Sequence, residues 1–247
     1  MPYLCDACMK LLITGSSGQL GKELLKLFPE SLAPKREELD ITNNKSVSAY
    51  IEKHKPDAII HTAAFTDVRR AEEEKELVWK TNVSGTENLV EACMRHAPNV
   101  RFIYMSTACV FDGGRGMYTE DDVPFPKNFY SLTKLIGEFV VKRLPNHLII
   151  RTNFVAKEKW PYPKAFTDRY GTYLFAEDVA RGIKEMLDSN ANGTLHLVGD
   201  KKMSMFELAK ITTPYIQPMT LKEYKGPNLT VDMSLDTSRW KKYRISA

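Results

Sequence analysis

Between residues 10 and 151, short apolar runs alternate with stretches in which apolar side chains recur every three or four positions. A continuous apolar run suits a strand buried on both faces, and the longer period lines one face of a helix. Strands are predicted over 10–14, 57–61, 101–105 and 147–151, with a weak one at 31–33. Helices are predicted over 19–28, where Pro29 stops the pattern, and over 46–55, 72–80, 87–96 and 130–143. Buried strands separated by helices imply an α/β fold, a Rossmann-type doubly wound parallel sheet. Beyond Arg151 the rhythm breaks, and TNFVAKEKWPYPKAFTDRYG is rich in aromatic residues and proline. A helix over 177–188, a strand over 194–198, a capped helix over 204–211 and an irregular tail follow. The pattern divides the chain into a dinucleotide-binding core at 9–151 and a small C-terminal substrate-binding lobe at 152–247. The lobe interleaves with the core as one compact unit and packs over the strand ends. Residues 1–8 stand ahead of MKLLITG as an N-terminal extension.

Composition narrows the function. The 35 basic and 31 acidic residues leave a net charge of +4, and they are interspersed, with Arg69-Arg70 answered at once by Glu72-Glu73-Glu74. No extended basic tract argues for nucleic acid or a membrane surface as partner. No apolar run nears the roughly 20 residues of a spanning helix, and no secretory h-region opens the chain, so a cytoplasmic protein is expected. Four cysteines in 247 residues do not make a disulfide framework. Cys5 and Cys8 form a C-x-x-C that could be a redox pair or half of a zinc site. Neither a preceding strand nor two further ligands accompany it. No metal site is expected, and Cys93 and Cys109 read as reduced thiols.

Gly15, Gly18 and Gly21 fall three apart where the first strand meets the first helix, in GSSGQLG. Glycine allows the tight turn and a close backbone approach to pyrophosphate, and the helix start offers unpaired N–H donors to the anion. Ser17, Gln19 and Leu20 belong to the same turn. In this position a dinucleotide site is a better reading than an idle glycine turn. Lys35 and Arg36 follow the weak second strand, where an acidic residue would bind a ribose hydroxyl and a basic one a 2′-phosphate. They point to NADPH, with NADH still open. Within NFYSLTKLIGEF, Tyr130 stands one helical turn before Lys134. That spacing fits a catalytic pair or one polar edge of an amphipathic helix equally well. Leu132, Leu135, Ile136 and Phe139 would then pack the helix in place, and Glu138 would pair with Lys134.

TGSSGQLG, HTAAFTDVRRAE, TNVSGT, MSTACVFDG and YSLTK occur in this order, and together they resemble the extended short-chain dehydrogenase/reductase family. Within it, IIRTNFV, YGTYLFAEDVA and GTLHLVGDKKMSMFELAK look most like the dTDP-4-dehydrorhamnose reductases. The resemblance implies a catalytic set of Thr107, Tyr130 and Lys134, with Asn82 as helper. Asp40, Ile41, Ala63, Ala64 and Thr66 fall where the family lines the adenosine and ribose pocket. Reducing a ketone by hydride leaves an alkoxide that needs a proton. The resemblance makes Tyr130 the donor, Lys134 the cation that lowers its pKa and reaches the nicotinamide ribose, and Thr107 the partner of the substrate carbonyl. It implies NADPH-dependent reduction of a 4-keto-6-deoxy nucleotide-sugar substrate by a homodimer.

The departures all fall on the substrate side. Ala108-Cys109 stands where the family shows Asp-Tyr, Phe154 where it places a tryptophan, and NLTVDMSLD where it has an Arg-Pro. Ala108 and Cys109 cannot serve as the acid and base of a dehydratase. An NAD-dependent sugar-nucleotide epimerase shares the Thr/Tyr/Lys set and stays open. So does a non-catalytic regulatory subunit like that of methionine adenosyltransferase, although the complete catalytic set speaks against it.

Overall fold

The computed structural model describes residues 9–246, so the Cys5 and Cys8 pair lies outside the described residues. Four parallel strands stand side by side in chain order: β1 (Leu11–Thr14), β2 (Ala58–His61), β3 (Arg101–Met105) and β4 (His147–Arg151). Their register sets Ile13 beside Ile60, Ile60 beside Ile103 and Ile103 beside Leu148. Alternate residues face opposite sides of the sheet, so each strand feeds two cores. Ile13, Ile60, Ile103 and Leu148 pack with Leu20 and Leu24 of α1 (Gln19–Leu27). Leu12, Ile59, Phe102 and Ile149 pack on the other side with Val47 and Ile51 of α2 (Asn44–His54).

Two predicted elements change. The weak strand at 31–33 is a single bridge, Leu32 beside Leu12, because Pro34 has no N–H with which to continue the ladder. The predicted helix at 72–80 is broken into α3 (Val68–Glu73) and α4 (Lys75–Trp79), and α4 runs on through a π-helical turn at Lys80–Ser84 into α5 (Gly85–His96). Val90 and Cys93 of α5 complete the core on the α2 side, where burial raises the Cys93 thiol to about 12.

The helix of the Tyr-Lys pair, α6 (Phe129–Val141), starts at Asn128, whose side chain accepts from the Ser131 N–H at 2.9 Å. Its burial inverts the amphipathic expectation. Ser131, Thr133, Lys134, Gly137 and Glu138 are buried, whereas Leu132 is 38% and Phe139 62% exposed. Leu132 and Phe139 therefore do not hold the helix to the sheet. What brings it close is Gly137, where an added Cβ would stand 2.1 Å from the Tyr104 hydroxyl of β3.

After β4 the chain builds β5 (Phe154–Val155), β6 (Lys164–Phe166), β7 (Tyr170–Gly171) and β8 (Leu174–Phe175). α7 (Ala176–Asp188) then returns to the face of α1, and β9 (Gly193–His196) extends the main sheet beyond β4. β10 (Met203–Ser204), α8 (Met205–Thr212), β11 (Gln217–Met219) and β12 (Asp232–Met233) complete the lobe. Ser204 caps α8 reciprocally with Glu207. Phe111 and Tyr118 pack with Trp160, Tyr173, Met233 and Leu235 in a third core that joins this later segment to the turn after β3.

Because the Gly137 contact sets the height of α6, Gly137→Ala should lower stability by about 1–3 kcal/mol in urea denaturation. Adding Tyr104→Phe should recover part of that loss. Full stability of the single variant would show that the helix can ride outward without cost.

Candidate active site

β1 delivers the chain into its first turn at Gly15, whose φ of +73° suits only glycine well. A Cβ there would meet the Ala63 nitrogen at 2.6 Å, and one at Gly21 would meet the Gly15 carbonyl oxygen at 2.3 Å. The turn is thus locked between the segment after β2 and the first turn of α1. Gly18 is the N-cap of α1 and provides no side-chain cap, so the first amides of the helix are open to an anion.

Two cavities of about 320 and 420 Å³ flank this turn and share Gly15, Gly18, Thr62 and Ala64. They form one groove over the strand ends. One arm is lined by Ser17, Lys35, Arg36, Asp40, Ile41 and Ala63, and the other by Gln19, Leu20, Gly21, Thr66, Tyr130, Lys134 and Phe154. Arg36 and Lys80 lie close enough to Asp40 for their charges to act on it. Burial pushes that carboxyl up, but two hydrogen bonds from Thr42 and the two cations outweigh it and leave the pKa below its usual value. Lys80 escaped sequence reasoning, because it lies on a helix far from the glycine turn. Thr62 also escaped, although its neighbours in HTAAFT did not. Its hydroxyl donates to the Thr14 carbonyl at 2.7 Å.

At the other arm Tyr130 is half-buried and Lys134 fully so. Burial raises the Tyr130 hydroxyl, with the neighbouring Cys109 adding to the shift, while the nearby Thr107 side chain opposes it. Burial draws Lys134 down to about 7, against the pull of Glu138. The Lys134 ammonium stands 4.1 Å over the Tyr104 ring, and it is not among the groups that shift Tyr130. Both groups answer mainly to burial.

Glu138 likewise departs from expectation. Its carboxylate takes the Arg151 guanidinium at both oxygens, at 2.9 and 2.7 Å, and accepts from the Ser106 hydroxyl at 2.5 Å. A bidentate arginine outcompetes a lysine one turn away.

Thr107 follows β3 and accepts from the Cys109 N–H at 3.1 Å, closing a short 3-10 turn over Ala108–Val110. Thr107, Ala108 and Cys109 are all buried, and none of them lines the groove. Cys109 Sγ rests on Met233 Sδ at 3.2 Å. Asn82 does not line the groove either. It sits in the π-turn, accepts from the Phe65 N–H at 2.7 Å, and donates to the Phe65 carbonyl and the Thr133 hydroxyl at 3.0 Å each. Its place is that of a clamp between the loop after β2 and α6. His61 completes the frame. Its ring lies 2.7 Å from Thr14 Oγ1 and 3.1 Å from Thr86 Oγ1, and burial together with the Lys134 charge draws its pKa down to about 3.

The described residues hold no group of three or more metal-ligating side chains, and none of their helices is long and apolar enough to cross a membrane. A groove with a glycine turn at its middle, cations at one end and Tyr130 and Lys134 at the other suits an extended phosphate-bearing ligand whose far end undergoes proton transfer.

The chain is similar to several known proteins. A dTDP-4-dehydrorhamnose reductase of Aggregatibacter actinomycetemcomitans is 40% identical over 60% of this chain, a match spanning about half (52%) of that relative's length. The methionine adenosyltransferase 2 subunit beta of Rattus norvegicus is 28% identical over 93% of this chain and 81% of its own. Among solved structures, a dTDP-4-dehydrorhamnose reductase from Bacillus anthracis in complex with NADP superimposes with a TM-score of 0.85 at 28% identity. That match covers 92% of this chain and 90% of the other. With residues 9–221 matching the RmlD substrate binding domain, the chain belongs to that family, on a Rossmann-type α/β fold.

Proposed function

We propose that the protein is an NADPH-dependent reductase of a 4-keto-6-deoxy sugar nucleotide. The observation that carries this reading is the single groove joining the glycine turn to Tyr130 and Lys134. The cradle fits the dinucleotide: Gly15 and Gly21 let the turn close tightly against the chain around it, and the uncapped start of α1 is free to receive pyrophosphate. Arg36 and Lys35, with Lys80 nearby, supply cations for a 2′-phosphate. Bound there, NADPH supplies the hydride. The Bacillus relative's complex with NADP supports this assignment.

The chain's own residues handle the proton. As the carbonyl carbon is reduced, its oxygen becomes an alkoxide, and a positioned hydroxyl must protonate it. Tyr130 stays protonated at neutral pH because burial raises it, so its hydroxyl carries a proton to give. Thr107, close to the Tyr130 hydroxyl, eases the transfer by favouring the phenolate. Lys134, drawn down to about 7, exchanges its proton near neutrality and can restore the one Tyr130 gives up. Phe154 offers an apolar wall to the sugar.

The outward face of α6 supports a homodimer. Leu132 and Phe139 are exposed at 38% and 62%, and α4, which packs beside α6, exposes Leu77 at 39% and Trp79 at 42%. Apolar surface of this kind favours a second copy of the chain over water.

Purified protein given NADPH and 4-keto-6-deoxy sugars linked to dTDP, UDP and GDP should oxidise the cofactor with at least one of them. No consumption with any sugar would support the idle regulatory reading. Tightly held, unexchangeable NAD would support an epimerase. In the same assay Tyr130→Phe should lower kcat by about 10²–10⁴-fold while NADPH affinity holds, since only the proton donor is lost. Retained turnover would remove Tyr130 as the acid. Light scattering on a sizing column should give twice the chain mass, falling to the monomer in Leu132→Glu/Phe139→Glu. A monomeric wild-type chain at micromolar concentration would refute the dimer.

A further inference from the structure

Lys134 and Glu138 stand one turn apart on α6, at the spacing that ordinarily pairs a cation with an anion. They are not paired. Both Glu138 oxygens lie against Arg151, Nε at 2.9 Å from Oε1 and Nη2 at 2.7 Å from Oε2, and Oε1 also accepts from the Ser106 hydroxyl. Among the described residues Lys134 forms no ion pair, and its ammonium stands over the face of Tyr104. Ser106 and Lys134 both line the groove, whereas Glu138, 1% exposed, does not.

The guanidinium is committed to this one carboxylate. Arg151 is buried, and its remaining nitrogen, Nη1, has no hydrogen-bond partner. A buried donor without a partner carries a desolvation cost, which the fold bears while the fork stays on Glu138.

The charge of Glu138 still reaches Lys134, where it opposes the burial that draws the lysine down to about 7. In direct contact the same carboxylate would hold the proton on the ammonium far more firmly. The other titratable groups around the pair stay neutral at neutral pH. Tyr104 of β3 is raised by burial and by Glu138, Tyr130 is raised by burial, and His61 of β2 is drawn down to about 3. His196 of β9 lies beside Arg151 in the sheet register, and burial draws it below its usual value although Glu120 pulls the other way. Glu138 is therefore the charge that acts on Lys134, and Arg151 decides where that charge points.

We propose that Arg151 is a positioning residue for the proton transfer: by taking both oxygens of Glu138 it keeps that carboxylate off the Lys134 ammonium, so the lysine can release its proton toward Tyr130. Ser106 assists by holding Oε1. The proton step rests on the reductase reading, and the competition for Glu138 does not.

Protonation of Lys134 can be read without any sugar. In the full chain carrying 13C-labelled lysine, the Cε resonance that is missing from Lys134→Arg is followed against pH. The wild-type midpoint should lie near 7. Arg151→Lys keeps a cation but cannot occupy both oxygens, so Glu138 turns toward Lys134 and the midpoint should rise by about one pH unit. Glu138→Gln removes the anion, and the midpoint should fall by about the same amount. Opposite signs separate this role from a structural one, since merely loosening α6 would hydrate Lys134 and raise the midpoint in both variants. With whichever sugar nucleotide the panel assay shows to be reduced, the pH at which kcat falls to half should follow the midpoint in each variant. Ser106→Ala leaves the ion pair in place and should raise the midpoint by a smaller amount. It decides the matter if a charge variant fails to fold, and an unchanged midpoint there would then overturn the proposal. A midpoint that stays put in folded Arg151→Lys, one that rises in both charge variants, or a kcat profile that ignores it would also overturn the proposal and leave the reductase standing. Resonance shifts of opposite sign with no sugar reduced would uphold the competition for Glu138 and sink the reductase reading alone.

Discussion

The distance between α6 and the sheet governs everything at the groove; Gly137 permits it, and a buried ion pair holds the helix there. Glu138 and Arg151 are 1% and 4% exposed, so neither charge is solvated by water. Removing two such ions from water costs several kcal/mol apiece, and only good geometry offsets it. Here the guanidinium meets both carboxylate oxygens, Ser106 donates to one of them, and the Arg151 cation also lies 5.1 Å from the Phe111 ring centre. Those partners come from α6, β4, the end of β3 and the turn after it. The pair therefore ties the Tyr130 helix to the strand ends from which Thr107 emerges. Gly137, one residue before Glu138, makes the close approach sterically allowed.

The same frame holds the far arm of the groove. Thr14 ends β1 just before the glycine turn, and its hydroxyl meets His61, whose other nitrogen meets Thr86. Thr86 donates to the Asn82 carbonyl, Asn82 donates to Thr133, and Thr133 donates to the carbonyl of Tyr130. A continuous run of buried polar contacts thus links the phosphate-binding turn to the backbone of the proton donor. The π-turn at Lys80–Ser84 belongs to this run, since Asn82 within it reaches Phe65 and Thr133. Groups held this way, on strands and helices, keep their spacing more faithfully than groups on loops.

Much of this was legible from residue patterns, and the rest failed for identifiable reasons. The strands of the core and the glycine turn follow from local rules, because period and backbone conformation are properties of neighbouring residues. The inside of α6 does not. Reading Leu132 and Phe139 as its buried face assumes that apolar residues point inward. Gly137 and Glu138 claim that face through partners in β3 and β4. For the same reason Glu138 was paired with its neighbour Lys134 in place of the more distant Arg151. Asn82 was placed in the catalytic set by resemblance, and its contacts show a clamp.

Burial also decides how charge is distributed along the groove. It raises Tyr130 and lowers Lys134, so it favours the neutral form of each, and it keeps His61 neutral as well. That arm of the groove is accordingly poor in fixed charge, although it is rich in hydrogen-bonding groups. Fixed cations, Lys35 and Arg36, stand at the other arm. An anion there meets a cation without forcing a charge into the low-dielectric arm. A proton moving among hydroxyls and an amine that are close to neutral there avoids the cost of separating charge in a dry pocket.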